Sequence, residues 1–172
     1  MNKERYLLSI KAENRPGLLH LVTGIIEKKL IAIQSVSAAP TDIHDIIMIT
    51  IEVYITERDL MTLALKLENI IEVFAVEAIK YDKTLCLRAA YFKMEKLFLE
   101  SPKVSVLQEH GAVIVNWYPD AFLLAKYGTD AAILNLYNQL DGPHLLGFSQ
   151  TGLITDTLLI DNDESSVISR AA

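Results

Sequence analysis

A chain of 172 residues, 51% of them hydrophobic and with a net charge of -6, can build one medium or two small packed domains and is too apolar for global disorder. An acidic chain without a basic stripe is a poor match for phosphate backbones, and no apolar run reaches the roughly 20 residues of a membrane-spanning helix, so neither nucleic acid nor membrane is an expected partner. The single cysteine, Cys86, excludes an internal disulfide, and with no secretory signal in the charged start a reducing cytoplasm is the expected setting.

From Arg5 to Ala12 the chain alternates, with Tyr6, Leu8, Ile10 and Ala12 on one side and Leu7, Ser9 and Lys11 on the other, which predicts a half-buried strand. At Gly17 the period changes. Leu18, Leu21, Val22, Ile25 and Ile26 recur at three and four residues, predicting an amphipathic helix with Asn14 as its N-cap and Pro16 in its first turn. Ile31 to Ala39 reads as a strand ending at the corner Pro40-Thr41-Asp42, and Ile46 to Ile55, rich in β-branched residues, as a long strand. Thr56 with Asp59 forms a capping-box pattern before a second helix that carries Leu60, Leu63, Ala64, Leu67 and Ile71 on one face. Val73 to Ile79 closes a βαββαβ unit near Tyr81.

The order then repeats. Thr84 to Ala90 reads as a strand, and Phe92 to Glu109 has a helical period that Pro102 must interrupt and Gly111 ends. Ala112 to Tyr118 and Ala121 to Tyr127 are strands joined at Pro119-Asp120, a hairpin signal. Gly128-Thr129-Asp130 opens a helix with Ile133, Leu136, Tyr137 and Leu140 on one face, followed by strands at Leu145 to Phe148 and within Gly152 to Ile160. The expected architecture is α+β: two tandem ferredoxin-like βαββαβ sandwiches over 1–81 and 82–160, then a polar tail, 161–172. Each sheet would have one face without helices. The unalternating run Ile46 to Ile49 puts apolar residues on both faces, so a partner subunit is the expected cover.

No catalytic constellation is present. His20, His44, His110 and His144 show no metal-ligand spacing and none neighbours Cys86; no glycine run cradles a phosphate and there is no nucleophile elbow. No metal and no cofactor are expected, and an enzyme on this scaffold is disfavoured. What remains is the turn at Pro16-Gly17. A helix beginning there leaves the amides of Gly17, Leu18 and Leu19 free for an anion such as a carboxylate, with no side chain on Gly17 to block approach. The alternative is ordinary capping by Asn14.

The βαββαβ order with "ENRPGLL" between first strand and first helix resembles the ACT domain, a small regulatory module that binds amino acids. "AIQSVSAAPTD" (Ala32 to Asp42) is similar to the second strand of the acetolactate synthase small-subunit family, also called the acetohydroxyacid synthase regulatory subunit. "HGAVIVNWYPDAFLLAKYGTDAAILNLYNQLDGPHLLGFSQTGLI" resembles that family's second domain, so the likeness runs in colinear order over roughly residues 5 to 155. It implies a non-catalytic subunit that pairs through its ACT domains as a homodimer, binds the catalytic subunit of acetolactate synthase, and takes a small amino-acid effector at the dimer interface. It implies ligand-binding roles for Asn14, Gly17, Leu18, Leu19, Ala32 and Ile33. The sequence departs from the family at Ala32, where the family has an asparagine facing the effector, and at Leu21 and Gln150, where it has arginines. The competing reading is a stand-alone ACT protein that binds another small ligand or only dimerises.

Overall fold

The computed structural model describes residues 2–158; the expected polar tail lies outside them. The chain forms two compact units. The first runs to Leu85 and resumes at Thr155, and the second is Cys86–Ile154. The first thus reaches a few residues past the expected boundary near Tyr81, and it also takes back the chain from Thr155.

In the first unit, β1 (Glu4–Glu13), β2 (Ile33–Pro40), β3 (Ile46–Ile55) and β4 (Val73–Lys80) form an antiparallel sheet in the order β2-β3-β1-β4. Its helices are α1 (Leu18–Glu27) and α2 (Glu57–Glu68). β1 is paired on both sides: Leu8 lies opposite Ile51 of β3 and Ala78 of β4, and Ile10 opposite Ile49 and Val76. Tyr6, Leu8, Ile10 and Ala12 meet Leu18, Val22 and Ile26 of α1 and Leu60, Leu63 and Leu67 of α2 in one core. Thr56 caps α2 by accepting the Asp59 N–H and donating to the Asp59 carboxylate. Ile71, expected on the apolar face of α2, lies beyond the end of the helix and is 94% exposed. Leu21 is also outside the core, 45% exposed.

β1 is not half-buried as its alternation suggested. Leu7 and Ser9 on its second face are buried, as are Thr50 and Glu52 opposite them. Glu52 is satisfied there by the Arg5 guanidinium at 2.7 Å and by the Ser35 hydroxyl at 2.9 Å, while Arg5 stacks 3.5 Å from the Tyr81 ring centre. The face is therefore not left bare for a partner. The returning chain lies against the same unit: Thr84 donates to Asp156, and the Leu158 N–H donates to Glu77, which faces Ser9 across the β1–β4 pair.

The second unit contains β5 (Cys86–Glu95), a short helix α3 (Ser105–Glu109), β6 (Val113–Trp117), β7 (Ala121–Gly128), α4 (Asp130–Leu140) and β8 (Leu145–Gln150), and the two-residue β9 (Ile154–Thr155) straddles its end. Its sheet has the order β6-β7-β5-β8, with β9 also on β5. The helical period from Phe92 to Glu109 is overruled up to Glu95. Ala90, Phe92 and Met94 fall on alternate positions of β5, and Phe92 is fully buried opposite Leu124 of β7 and Phe148 of β8. Spacings of two and four share positions, and pairing on both sides selects the strand. The helical remainder is broken into 3-10 turns at Lys96–Glu100 and Pro102–Val104 before α3. Gly111, at φ 60, ends α3, and Tyr118 N–H to Ala121 carbonyl closes the expected hairpin. Ile133, Leu136 and Leu140 of α4 complete the core with Phe92, Phe98, Phe122 and Leu124. No helix among the described residues is long and apolar enough to cross a membrane.

Burial raises the Glu77 carboxyl above its ordinary value; the Leu158 N–H opposes this, and the nearby Asp156 adds to it. The folded state therefore holds this proton to higher pH than the unfolded chain does. The contribution of Glu77 to stability is full below the ordinary carboxylate value and falls as pH rises from there through the raised one. Glu77→Gln is expected to flatten this part of the urea-midpoint profile and to raise the midpoint at neutral pH. Parallel profiles for the two proteins would show that Glu77 carries no such penalty.

Candidate functional site

The turn between β1 and α1 starts from a fixed platform. The Glu13 N–H donates to the Glu72 carbonyl at 2.8 Å and the Asn14 N–H to the Asp45 carbonyl at 2.7 Å, so the end of β1 is tied to the starts of both neighbouring strands. Asp45 is itself left-handed, at φ 58, a conformation aspartate tolerates. The chain then turns through Arg15 and Pro16 to Gly17, at φ 88 and ψ -13.

Gly17, not Asn14, occupies the N-cap of α1, and no side chain caps the helix. A left-handed cap position excludes an asparagine three residues earlier from the capping geometry, and Asn14 is exposed. Pro16 correspondingly precedes the helix rather than entering its first turn. A Cβ built on Gly17 would meet nothing within 4 Å, so glycine is required by the backbone conformation and not by crowding. Space above it is open.

The expected triad of free amides needs one change. The Leu18 N–H donates to the Arg15 carbonyl at 3.2 Å and is occupied. Those of Gly17, Leu19 and His20 have no backbone acceptor among the described residues. Leu18 is buried in the core, whereas Leu19 is 41% exposed. The first turn of α1 holds no acidic residue, so its partial positive charge is not offset from within the helix. By contrast, α2 and α4 have threonine caps and acidic residues in their first turns. Sequence reasoning overlooked Arg15, whose guanidinium stands at this turn 2.8 Å from the Glu13 carboxylate and 60% exposed. Its place next to Pro16-Gly17 was the available signal.

Ala32 and Ile33 are at the other end of α1. Ala32 is exposed just before β2, and Ile33 pairs with Val53 and packs against the core. A ten-residue helix rises about 15 Å, so one chain does not bring Ala32 to the Gly17 turn. The six predicted residues form two groups: Asn14, Gly17, Leu18 and Leu19 at the start of α1, Ala32 and Ile33 beyond its end. Among the described residues no group of three or more histidine, cysteine, aspartate or glutamate side chains is placed to hold a metal, and Cys86 is buried.

A β2-β3-β1-β4 antiparallel sheet backed by two helices is a ferredoxin-like unit, and an open left-handed glycine heads its first helix. Residues 8–75 match the family model described as the AHAS (acetohydroxyacid synthase) small subunit-like ACT domain. Among solved structures, the acetolactate synthase small subunit from Thermotoga maritima superposes with a TM-score of 0.80 at 14% identity, covering 88% of this chain and 96% of that one. This likeness shows the two-unit, tandem ferredoxin-like fold. The ACT domain from GTP pyrophosphokinase of Chlorobium tepidum is 26% identical, covering 45% of this chain and 99% of that one, with a TM-score of 0.40. No curated protein sequence matches the chain.

Gly17→Ala is expected to destabilise the fold by about 1–2 kcal/mol, because an L-residue resists the left-handed cap although its methyl group meets no neighbour. Urea unfolding measures this. An unchanged midpoint would mean that the turn relaxes to another conformation without cost.

Proposed function

We propose that this chain is the non-catalytic regulatory subunit of an acetolactate synthase, binding the catalytic subunit in the cytoplasm and modulating its rate. The observation that carries this reading is the family match over residues 8–75, which spans both the Gly17 turn and β2. The likeness of fold over 88% of the chain to a small subunit of that enzyme supports it. The chain's own role is recognition. Among the described residues β2 is an edge strand, bearing small residues from Ser35 to Ala39 apart from Val36, and it stands ready to pair with the same strand of a second copy. In such a homodimer the Gly17 turn of one copy comes near Ala32 of the partner subunit, which the length of α1 forbids within one chain.

A small amino acid between them would place its carboxylate on the free amides of Gly17, Leu19 and His20, with Arg15 adding positive charge. Its ammonium group would find only backbone carbonyls at the other side, because Ala32 has no polar side chain. A missing hydrogen bond of this kind weakens binding by about 1–3 kcal/mol. L-valine titrated into the unaltered protein in a calorimeter should therefore bind more weakly than about millimolar, where the binding free energy is about -4 kcal/mol. Tighter binding would overturn this view of Ala32.

The role itself is tested with the acetolactate synthase catalytic subunit of the same organism. The two proteins are expected to co-elute at micromolar concentration, and the mixture is expected to turn over pyruvate faster than the catalytic subunit alone. Separate elution with an unchanged rate would overturn the regulatory-subunit reading in favour of a stand-alone ACT protein. Acetolactate formation by the purified chain alone would overturn its non-catalytic assignment.

A further inference from the structure

An open depression of about 190 Å³ lies in the first unit where the end of α1, the end of β3 and the start of α2 meet, at the opposite end of α1 from the Gly17 turn. Its floor is apolar: Ile31 and Ile55 line it, and both are buried. Tyr54 gives one wall, and Lys3, Lys29 and Asp59 supply the charges. Pockets for drug-sized ligands run to about 300–1,000 Å³, so this one suits a molecule of a few heavy atoms.

The charges of the lining are not balanced. Asp59 belongs to the start of α2: its carboxylate accepts from the Thr56 hydroxyl at 2.8 Å, and the positive end of the helix favours it there. Neither Lys3 nor Lys29 has a carboxylate partner among the described residues. Lys29 is half-buried, and a cation drawn out of water without an anion is costly. The depression thus has two ammonium groups to offer, while its one carboxylate is already held.

Leu30 adds an apolar wall. Its backbone is left-handed, at φ 56, and the bend has a structural reason: the Leu30 N–H donates to the Glu27 carbonyl, closing α1, and the next residue, Ile31, returns to the core. The position of its side chain has no such reason. It lines the depression and is 91% exposed, so an occupant of that space would cover it with a gain in apolar burial.

We propose that this depression binds a short aliphatic carboxylic acid, with its carboxylate held by Lys3 and Lys29 and its chain against Ile31, Ile55 and Leu30. The acid carries no amino group, because an ammonium group would stand beside two lysines with the only carboxylate of the lining engaged. The site is separate from the amino-acid seat at the Gly17 turn and needs neither a second copy nor a catalytic subunit.

Amide spectra of the isotope-labelled full chain, titrated with isovalerate at neutral pH, test this. Saturable shifts are expected at Lys29, Leu30, Ile31 and Tyr54. Neutral isovaleramide and L-leucine are each expected to bind at least about tenfold more weakly, as is isovalerate to Lys29→Met, which removes the charge and keeps the stem. Isovalerate shifts confined to Gly17, Leu19 and His20 would place the carboxylate at the start of α1 and overturn the proposal, as would the absence of any saturable shift. Equal binding of isovaleramide, or of isovalerate to Lys29→Met, overturns the role of the lysines. Equal binding of L-leucine overturns the exclusion of an amino group. None of these outcomes touches the regulatory-subunit reading, which the co-elution experiment tests by itself.

Discussion

β1 is hydrogen-bonded along both edges and buried on both faces, and the layout of the first unit follows from that. A strand held this way has one register. A slip by one residue would send Leu8 and Ile10 out of the core and push Ser9 and Lys11 into it. Because the register is fixed, so is the point at which β1 ends. The Glu13 and Asn14 amides reach carbonyls on the two flanking elements, and the chain leaves the sheet at one angle. Gly17 then supplies the single left-handed residue that turns this exit into a helix. The openness of the helix start is thus inherited from the most rigid part of the molecule, so a ligand bound there would meet donors already in position.

The two units share a strand and helix order but not a chemistry. In the second, the first helical segment is reduced to 3-10 turns and the five-residue α3. Its one long helix, α4, begins with Thr129 accepting the Ala132 N–H and with Asp130 in the first turn. Asp130 stands 2.6 Å from the Arg88 guanidinium, which is buried on β5. The positive end of α4 is therefore answered from within the unit, whereas that of α1 is not. Repetition of a fold does not repeat the chemistry of its helix starts, because only α1 is left without its own acid and side-chain cap where α2 and α4 have both.

Most of the architecture was legible in the sequence because it rests on periodicity and punctuation. β3 coincides with the run of β-branched residues from Ile46 to Ile55, Thr56 and Thr129 mark helix starts, and Gly111 marks a stop. β5 was legible only to Ala90, since Phe92, Glu95 and Leu99 satisfy a helical spacing as well as a strand does, and only the pairing with β7 and β8 separates the two. The cap was misread for a different reason. Asparagine has the higher prior at an N-cap, but the choice was made by where the sheet releases the chain. Leu30 gave no signal at all, because a left-handed leucine has no compositional mark. Of the candidate site, Gly17 was readable as a backbone requirement. The split of the six residues between the two ends of α1 follows from helix length, and it appears only once the helix has definite ends.

Thr84, the residue just before the chain passes toward the second unit, donates to Asp156, just after it comes back. The first unit's two cut ends are thereby pinned together by its own side chains. The chain of the second unit, Cys86–Ile154, thus leaves and returns at one place on the first. The entropy lost in holding that long excursion closed is small for its length, because closure cost grows only slowly with loop length, so one hydrogen bond at its neck is enough to matter.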